Sequence, residues 1–202
     1  MRNDVELRCA CGVVRGVVED ASPKTVNRVA CYCDDCQVFA RFLGRDDIMD
    51  ERGGTDIVQV APSRVRIVAG EDKLRAVRLS EKGVFRAYTD CCKTPAGNAL
   101  NSVRSPFIGF ATRFFALQGN DLDAVVGPPR GRIWGKHAVG GCPAGVDEKV
   151  SMGILARMMG MLAKNALLGR HKPSPFWTES GEPRVVSHVL TREERATLRR
   201  NG

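Results

Sequence analysis

The chain has 202 residues, with 31 Lys/Arg against 23 Asp/Glu for a formal net charge of +8, and 43% of it is hydrophobic. That apolar share can build a buried core, which excludes a disordered or fibrous chain, and the length suits one domain with an appendage or at most two small domains. With two Trp, two Tyr and eight Phe, the composition offers little aromatic surface on which single-stranded nucleic acid could stack.

The first residues, Met1-Arg2-Asn3-Asp4-Val5-Glu6, lack the apolar core of a signal peptide. The expectation is a cytoplasmic protein whose thiols stay reduced. Its eight cysteines are therefore read as metal ligands or reactive thiols before disulfides. Five of them fall between positions 9 and 36, and two more are adjacent at 91 and 92.

In chain order, Val5 and Leu7, then Val13-Val14 and Val17-Val18, flank Cys9-Ala10-Cys11-Gly12 as two short strands flank a tight knuckle. Gly12 supplies the positive φ such a turn needs. Val29-Ala30-Cys31 ends another apolar run. Asp34 and Asp35 then cap a short helix over residues 36–43, which Gly44 stops. Strands are expected around 57–60, 65–68, 74–79 and 84–88, where apolar residues alternate with arginines. The breaks at Ala61-Pro62-Ser63, Gly70-Glu71-Asp72 and Ser80-Glu81-Lys82-Gly83 are turn chemistry, so antiparallel hairpins are expected between the strands.

Past Gly127-Pro128-Pro129, glycines at 131, 135, 140, 141 and 145 suggest an irregular crossing segment. The longest apolar stretch, 152–168, carries Arg157 and Lys164 and is too short and too charged for a membrane span. Its Leu155, Met158, Met159 and Leu162 follow helical spacing, a stripe suited to the core or a dimer surface. Ser151 can cap that helix and Gly169 suits its end. Lys172-Pro173-Ser174-Pro175-Phe176-Trp177 reads as a rigid apolar flap. Thr191-Arg192-Glu193-Glu194 is a capping box that opens a last short helix.

Cys31, Cys33 and Cys36 place three thiols within six residues. Such a loop can wrap one soft cation, and three protein ligands leave a fourth position for water or substrate, as in catalytic zinc sites. Two plainer readings stand beside it: a closed site with a fourth ligand from elsewhere, and a thiol redox motif at Cys33-Asp34-Asp35-Cys36. The third cysteine favours metal. Cys9 and Cys11 make half a site, for which Cys91 and Cys92 are the one other paired source, although successive side chains of an extended segment point apart. Cys142 reads as a small buried residue rather than a ligand.

These motifs, with Arg86-Ala87-Tyr88-Thr89-Asp90-Cys91-Cys92-Lys93-Thr94-Pro95, resemble the glutathione-dependent formaldehyde-activating enzyme family, whose superfamily also includes centromere protein V. The resemblance covers residues 5–100. It implies a mainly β, zinc-pinned antiparallel β-tent, with Cys9 and Cys11 in a structural zinc site and Cys31, Cys33 and Cys36 in a catalytic-type one. The family's last motif, C-x-x-C-G-T-P, is altered: Thr89 stands at its first cysteine, Cys92 at its second and Lys93 at its glycine. Either Cys91 replaces the missing ligand through a changed backbone, or that site has three protein thiols.

The arginines are scattered. Arg64, Arg66, Arg75, Arg78 and Arg86 occupy alternate strand positions, and Arg192, Arg195, Arg199 and Arg200 lie beside Glu193 and Glu194, which reads as a solvated face. Basic residues near a zinc mouth would also attract an anionic thiol. His137, His171 and His188 lie outside the cysteine motifs, and no proton-transfer residue stands out.

The expectations are then a zinc-binding β-tent domain over 1–130, and an irregular segment with helices packed on it over 131–202. One or two Zn²⁺ per chain are expected, the structural ion held by Cys9, Cys11, Cys91 and Cys92. The expected activity is that of a zinc-dependent carbon–sulfur lyase or synthase acting on a small thiol or thiol–carbonyl adduct. The alternative is a non-catalytic zinc-stapled binding module. Neither nucleic acid nor membrane is expected as a partner, and a homo-oligomer is compatible with the helical stripe.

Overall fold

Eleven strands and four α-helices form among residues 3–200, which the computed structural model describes. In order they are β1 (Val5–Arg8), β2 (Arg15–Val18), β3 (Asn27–Cys31), α1 (Asp34–Leu43), β4 (Thr55–Val60), β5 (Val65–Ala69), β6 (Leu74–Arg78), β7 (Phe85–Thr89), β8 (Pro95–Ala99), β9 (Ile108–Ala111), α2 (Gly119–Val126), β10 (Arg132–Ile133), α3 (Met152–Leu167), β11 (Ser187–Val189) and α4 (Arg192–Arg200). A three-stranded sheet runs β1-β2-β5 and an eight-stranded one β10-β3-β4-β9-β8-β7-β6-β11. The protein is mainly β. No helix among the described residues is long and apolar enough to cross a membrane.

Period-two patterning places the core between the two sheets. Val58 and Val60 of β4, Phe85 and Ala87 of β7, and Phe110 of β9 point inward to meet Val5, Leu7, Val14 and Val18. The intervening residues Ile57, Arg86 and Tyr88 take the opposite face of the large sheet. There α1 and the C-terminal segment cover them: Val38, Phe39 and Leu43 pack with Val77, Leu79 and Leu190. Both faces of the large sheet are thus roofed, which is why a polar residue such as Arg86 can be buried within it.

The hairpin expectation holds for β6–β7 but not for β4–β5 or β5–β6. A 3₁₀ turn at Pro62–Arg64 sends β5 to pair with β2 in the small sheet, while β4 lies between β3 and β9. The two edges of the large sheet also differ from an all-antiparallel plan. β10 pairs with β3, and β11 with β6, in parallel, because both strands return from the C-terminal part of the chain.

Local signals set the helix ends. Gly44 closes α1 with φ +62. Asp34 and Asp35 do not cap that helix; Cys33 holds the cap position and the two acids lie in the first turn, paired with Arg199 and Arg195 of α4. The capping box of α4 is reciprocal: Thr191 N–H donates to Glu194 Oε2 at 2.7 Å, and Glu194 N–H donates to Thr191 Oγ1 at 3.2 Å. Ser151 occupies the cap of α3 without a side-chain bond.

The inner face of α3 differs from the expected stripe. Ile154, Leu155, Met158, Met161 and Leu162 are half-buried and Asn165 is buried, its amide donating to Pro106 O at 3.1 Å, whereas Met159 is exposed. Leu155, Met158 and Leu162 of the expected stripe thus lie on the face that Asn165 anchors. The residues of the expected flap plug the core instead, with Phe176 and Trp177 buried against Phe85 at ring distances of 5.2 and 5.0 Å.

Candidate metal centres

Two thiol groups gather in the fold: Cys9, Cys11, Cys91 and Cys92, and separately Cys31, Cys33 and Cys36. Within each, the sulfurs lie within 4.8 Å of one another. All eight cysteines are free thiols.

The four-thiol group joins the two sheets. Cys9 and Cys11 sit in the β1–β2 connection, where Gly12 at φ +79 lets its N–H reach Cys9 O at 2.9 Å and Val14 N–H reach the Cys9 sulfur at 3.2 Å. Cys91 and Cys92 sit in the β7–β8 turn, tightened by Lys93 N–H donating to Thr89 O at 2.8 Å. Lys93 takes φ +55, the left-handed conformation for which glycine is better suited. This turn answers the geometric objection to adjacent cysteines. Their segment is curled rather than extended, and their sulfurs come 3.9 Å apart. Cys91 stands 3.3 Å from Cys11 and 3.9 Å from Cys9, and Cys9 is 3.6 Å from Cys11. A tetrahedral ion with Zn–S bonds of about 2.3 Å sets its sulfurs about 3.8 Å apart. The donor set and its spacing fit such an ion.

Hydroxyls and a guanidinium back this group. The Cys92 sulfur is 3.3 Å from Thr89 Oγ1 and 3.2 Å from Thr94 Oγ1, while Arg45 donates to Cys92 O at 3.0 Å. Burial pushes the Cys92 thiol up, but its hydrogen bonds to Thr89 and Thr94 and to Cys11 outweigh that and hold it at about 5. Burial and hydrogen bonding to Cys11 push Cys91 up to about 12, and burial also raises Cys9. The group shares its negative charge unevenly, with Cys92 as the readiest thiolate.

The three-thiol group lies on the roofed face of the large sheet. Cys31 ends β3, Cys33 caps α1, and Cys36 occupies the first turn of that helix, its N–H donating to Cys33 O at 3.0 Å. Thiolates at a helix N-terminus are favoured by the unpaired N–H groups and the helix dipole. Val29, Ile57 and Ile133 form an apolar wall, and Trp134, Val150 and, from α3, Ile154 pack at its edge. Cys31 and Cys36 are buried and Cys33 is half-buried. Cys36 is held well below the ordinary thiol value by hydrogen bonds from Cys31 and Cys33, with the Arg86 guanidinium adding to the effect. Cys31 is raised by hydrogen bonding to its two partners, and Cys33 is pushed up to about 12. Among the described residues this group contains no fourth Cys, His, Asp or Glu.

The intervening Tyr32 points to the opposite face of the sheet, where its hydroxyl donates to Asp50 Oδ2 at 2.8 Å. His137, His171 and His188 join neither group; the His137 backbone carbonyl accepts from Gln37 Nε2 at 2.8 Å. Cys142, expected to be buried, is exposed in the glycine-rich loop, its sulfur 3.4 Å from Val146 O. Arg86, expected on a solvated face, is 4% exposed and faces Cys36. Thr89, Thr94, Arg45 and Arg86 are the supporting residues that spacing alone did not single out. For Arg86 the one signal was alternation along β7, which puts it on the face of Tyr88, opposite the core residues Phe85 and Ala87, without telling that this face is roofed.

A family model described as "Family of unknown function (DUF6151)" matches residues 1–187. No curated protein matches the chain.

Proposed function

The chain belongs to DUF6151, a family of unknown function, and from its two unequal thiol groups we propose a zinc-dependent carbon–sulfur lyase or synthase acting on a small thiol–carbonyl adduct of the glutathione type. The observation that carries this reading is the contrast in ligand number. Structural zinc sites are closed by four protein ligands, whereas catalytic ones keep a position open. Cys9, Cys11, Cys91 and Cys92 supply four thiols, and Cys31, Cys33 and Cys36 supply three.

In this reading the four-thiol ion pins the small sheet to the β7–β8 turn of the large one, in the manner of a β-tent. The three motifs that resemble the glutathione-dependent formaldehyde-activating enzymes support it. When bound at the three-thiol group, zinc supplies a Lewis-acid position for a thiolate or a carbonyl oxygen. The protein's own part is to hold Cys31, Cys33 and Cys36 at fixed spacing on the end of β3 and the start of α1. Its apolar wall of Val29, Ile57 and Ile133 keeps water from the sulfurs and strengthens electrostatic interactions there. The reaction class is reversible addition of a thiol across a carbonyl. A C–S bond forms, the carbonyl π-pair moves to oxygen, and oxygen takes up the proton that the thiol gives.

One observation favours a second reading. Trp134, Val150 and Ile154 pack at the edge of the three-thiol group, and a group covered in this way suits a zinc-stapled binding module without chemistry. Titration of the zinc-loaded protein with glutathione and other small thiols, followed by aldehydes, separates the two. A perturbed metal site and adduct turnover faster than in buffer support the enzyme. An inert site with no turnover leaves the module.

A further inference from the structure

Beside Cys36 lies a small cavity of about 10 Å³ between α1 and the large sheet, lined by Cys36, Phe39, Thr55, Arg86 and Asn98 among others. Arg86 Nε, Thr55 Oγ1 and Asn98 Oδ1 are all buried without a hydrogen-bond partner. The volume is that of one water, whose two to four hydrogen bonds would satisfy these three orphans. The guanidinium presents a larger question. Arg86 is 4% exposed, and among the described residues it forms no ion pair with a carboxylate. Its close neighbours are neutral: the Phe39 ring 5.3 Å from Cζ, a hydroxyl, an amide and apolar side chains. A buried, unpaired cation is strongly unfavourable. The one group lining this cavity that can carry negative charge is the Cys36 sulfur.

We propose that Arg86 is a positioning residue for the three-thiol centre, its guanidinium balancing the net negative charge of Cys31, Cys33 and Cys36 when they hold a divalent ion. This rests on the zinc reading above. Three thiolates and Zn²⁺ sum to −1, which Arg86 brings to neutrality. A fourth, incoming thiolate then meets a neutral site rather than an anionic one, so the residue favours anionic sulfur ligands in particular. A guanidinium buried without a carboxylate partner is thereby explained by the thiol centre it faces.

The test is a double-mutant cycle on the full chain, Arg86→Met with Cys33→Ser, read by zinc stoichiometry, chelator competition and thermal unfolding. Arg86→Met alone is expected to lower zinc affinity at the three-thiol group about 10- to 100-fold, the usual effect of removing an outer-shell partner, with Arg86→Lys retaining most of it. In the Cys33→Ser background, where the counter-charge is already lost, Arg86→Met should leave the melting temperature unchanged or raised. Equal losses in both backgrounds, or unchanged zinc affinity in Arg86→Met, would overturn the assignment. If Cys33→Ser does not fold, chelator competition on Arg86→Met and Arg86→Lys decides alone. If the wild-type protein carries no zinc at this group, the zinc reading itself falls and the role of Arg86 with it. Zinc present but indifferent to Arg86 removes the Arg86 role only.

Discussion

The Thr89 hydroxyl lies 3.3 Å from the Cys92 sulfur and accepts the Thr94 N–H at 3.0 Å. Thr89 is thus a fully buried hydrogen-bonding support for the four-thiol group, to which Cys91 brings a fourth sulfur. Thr89→Val keeps the shape but strands the Thr94 N–H, at an expected cost of about 1–3 kcal/mol in denaturant unfolding. The pH dependence follows from Cys92. Its thiol in the folded, metal-free protein sits at about 5 against an ordinary 9.0, so its stabilising effect is fully present above pH 9 and is lost as pH falls through 5. Melting temperatures of the metal-free protein should therefore fall between pH 9 and pH 5. Thr89→Val should flatten that dependence, and an unaltered pH profile would count against the hydrogen bond.

The two thiol groups should fail differently. Cys11→Ser breaks a cluster joining segments some eighty residues apart, and metal-binding free energy there is also folding free energy. Thermal unfolding should show a large loss for Cys11→Ser or Cys91→Ser. Cys33→Ser, with ligands confined to one strand end and one helix turn, should lose one metal equivalent for a smaller drop. Similar drops for both would mean that the groups do not divide structural and chemical roles.

Much of this site was legible because its signals are local. Cys31, Cys33 and Cys36 lie within six residues, and Gly44 and the Thr191/Glu194 box mark helix ends through neighbours a turn away. The set of Cys9, Cys11, Cys91 and Cys92 was expected from the sequence, but the way two adjacent cysteines reach one group was not legible, because it depends on a curled turn with Lys93 at positive φ. Nor was the burial of Arg86, since alternation along β7 tells which residues share a face but not that α1 roofs it. The pairing of β5 with β2 was hidden for a related reason: turn chemistry at Pro62 marks a break without telling which sheet the chain enters next. Of the expected stripe on α3, Leu155, Met158 and Leu162 are half-buried and Met159 is exposed, while the buried Asn165, a polar residue, could not be read from apolar spacing.

Arg28 offers a test of the scaffold. It is 6% exposed on β3, and its guanidinium reaches Asp56 at 2.6 Å, Asp123 at 2.5 Å and Gly127 O at 2.9 Å. One side chain thus ties β3 to β4 and to the end of α2. Arg28→Met leaves two carboxylates facing an apolar side chain. Both carboxylates are partly exposed, so the loss should fall near the low end for a broken buried pair, about 3 kcal/mol by denaturant unfolding. A loss under about 1 kcal/mol, the worth of a surface pair, would show that solvent already screens these charges.

Gly54 tests how the opposite face of the sheet supports the three-thiol group. A Cβ there would stand 2.6 Å from Tyr32 Cε1 and Cζ and 2.7 Å from Asp50 Oδ2. Those atoms cannot yield independently, because the Tyr32 hydroxyl donates to Asp50 Oδ2 at 2.8 Å and Gly54 N–H donates to Asp50 Oδ1 at 2.9 Å. Tyr32 is buried and sits between Cys31 and Cys33, so displacing its ring displaces the backbone that sets the spacing of those two sulfurs. Gly54→Ala should cost about 1–3 kcal/mol, the usual range for overpacking. It should also lower metal retention at Cys31, Cys33 and Cys36 while leaving the four-thiol group loaded, since the atoms nearest a Gly54 Cβ belong to Tyr32 and Asp50 and not to Thr89, Thr94 or Arg45, which back that group. Metal stoichiometry under graded chelator checks it. A variant that loses stability but keeps both metals with unchanged affinity would show that Tyr32 packs the sheet without setting the ligand geometry.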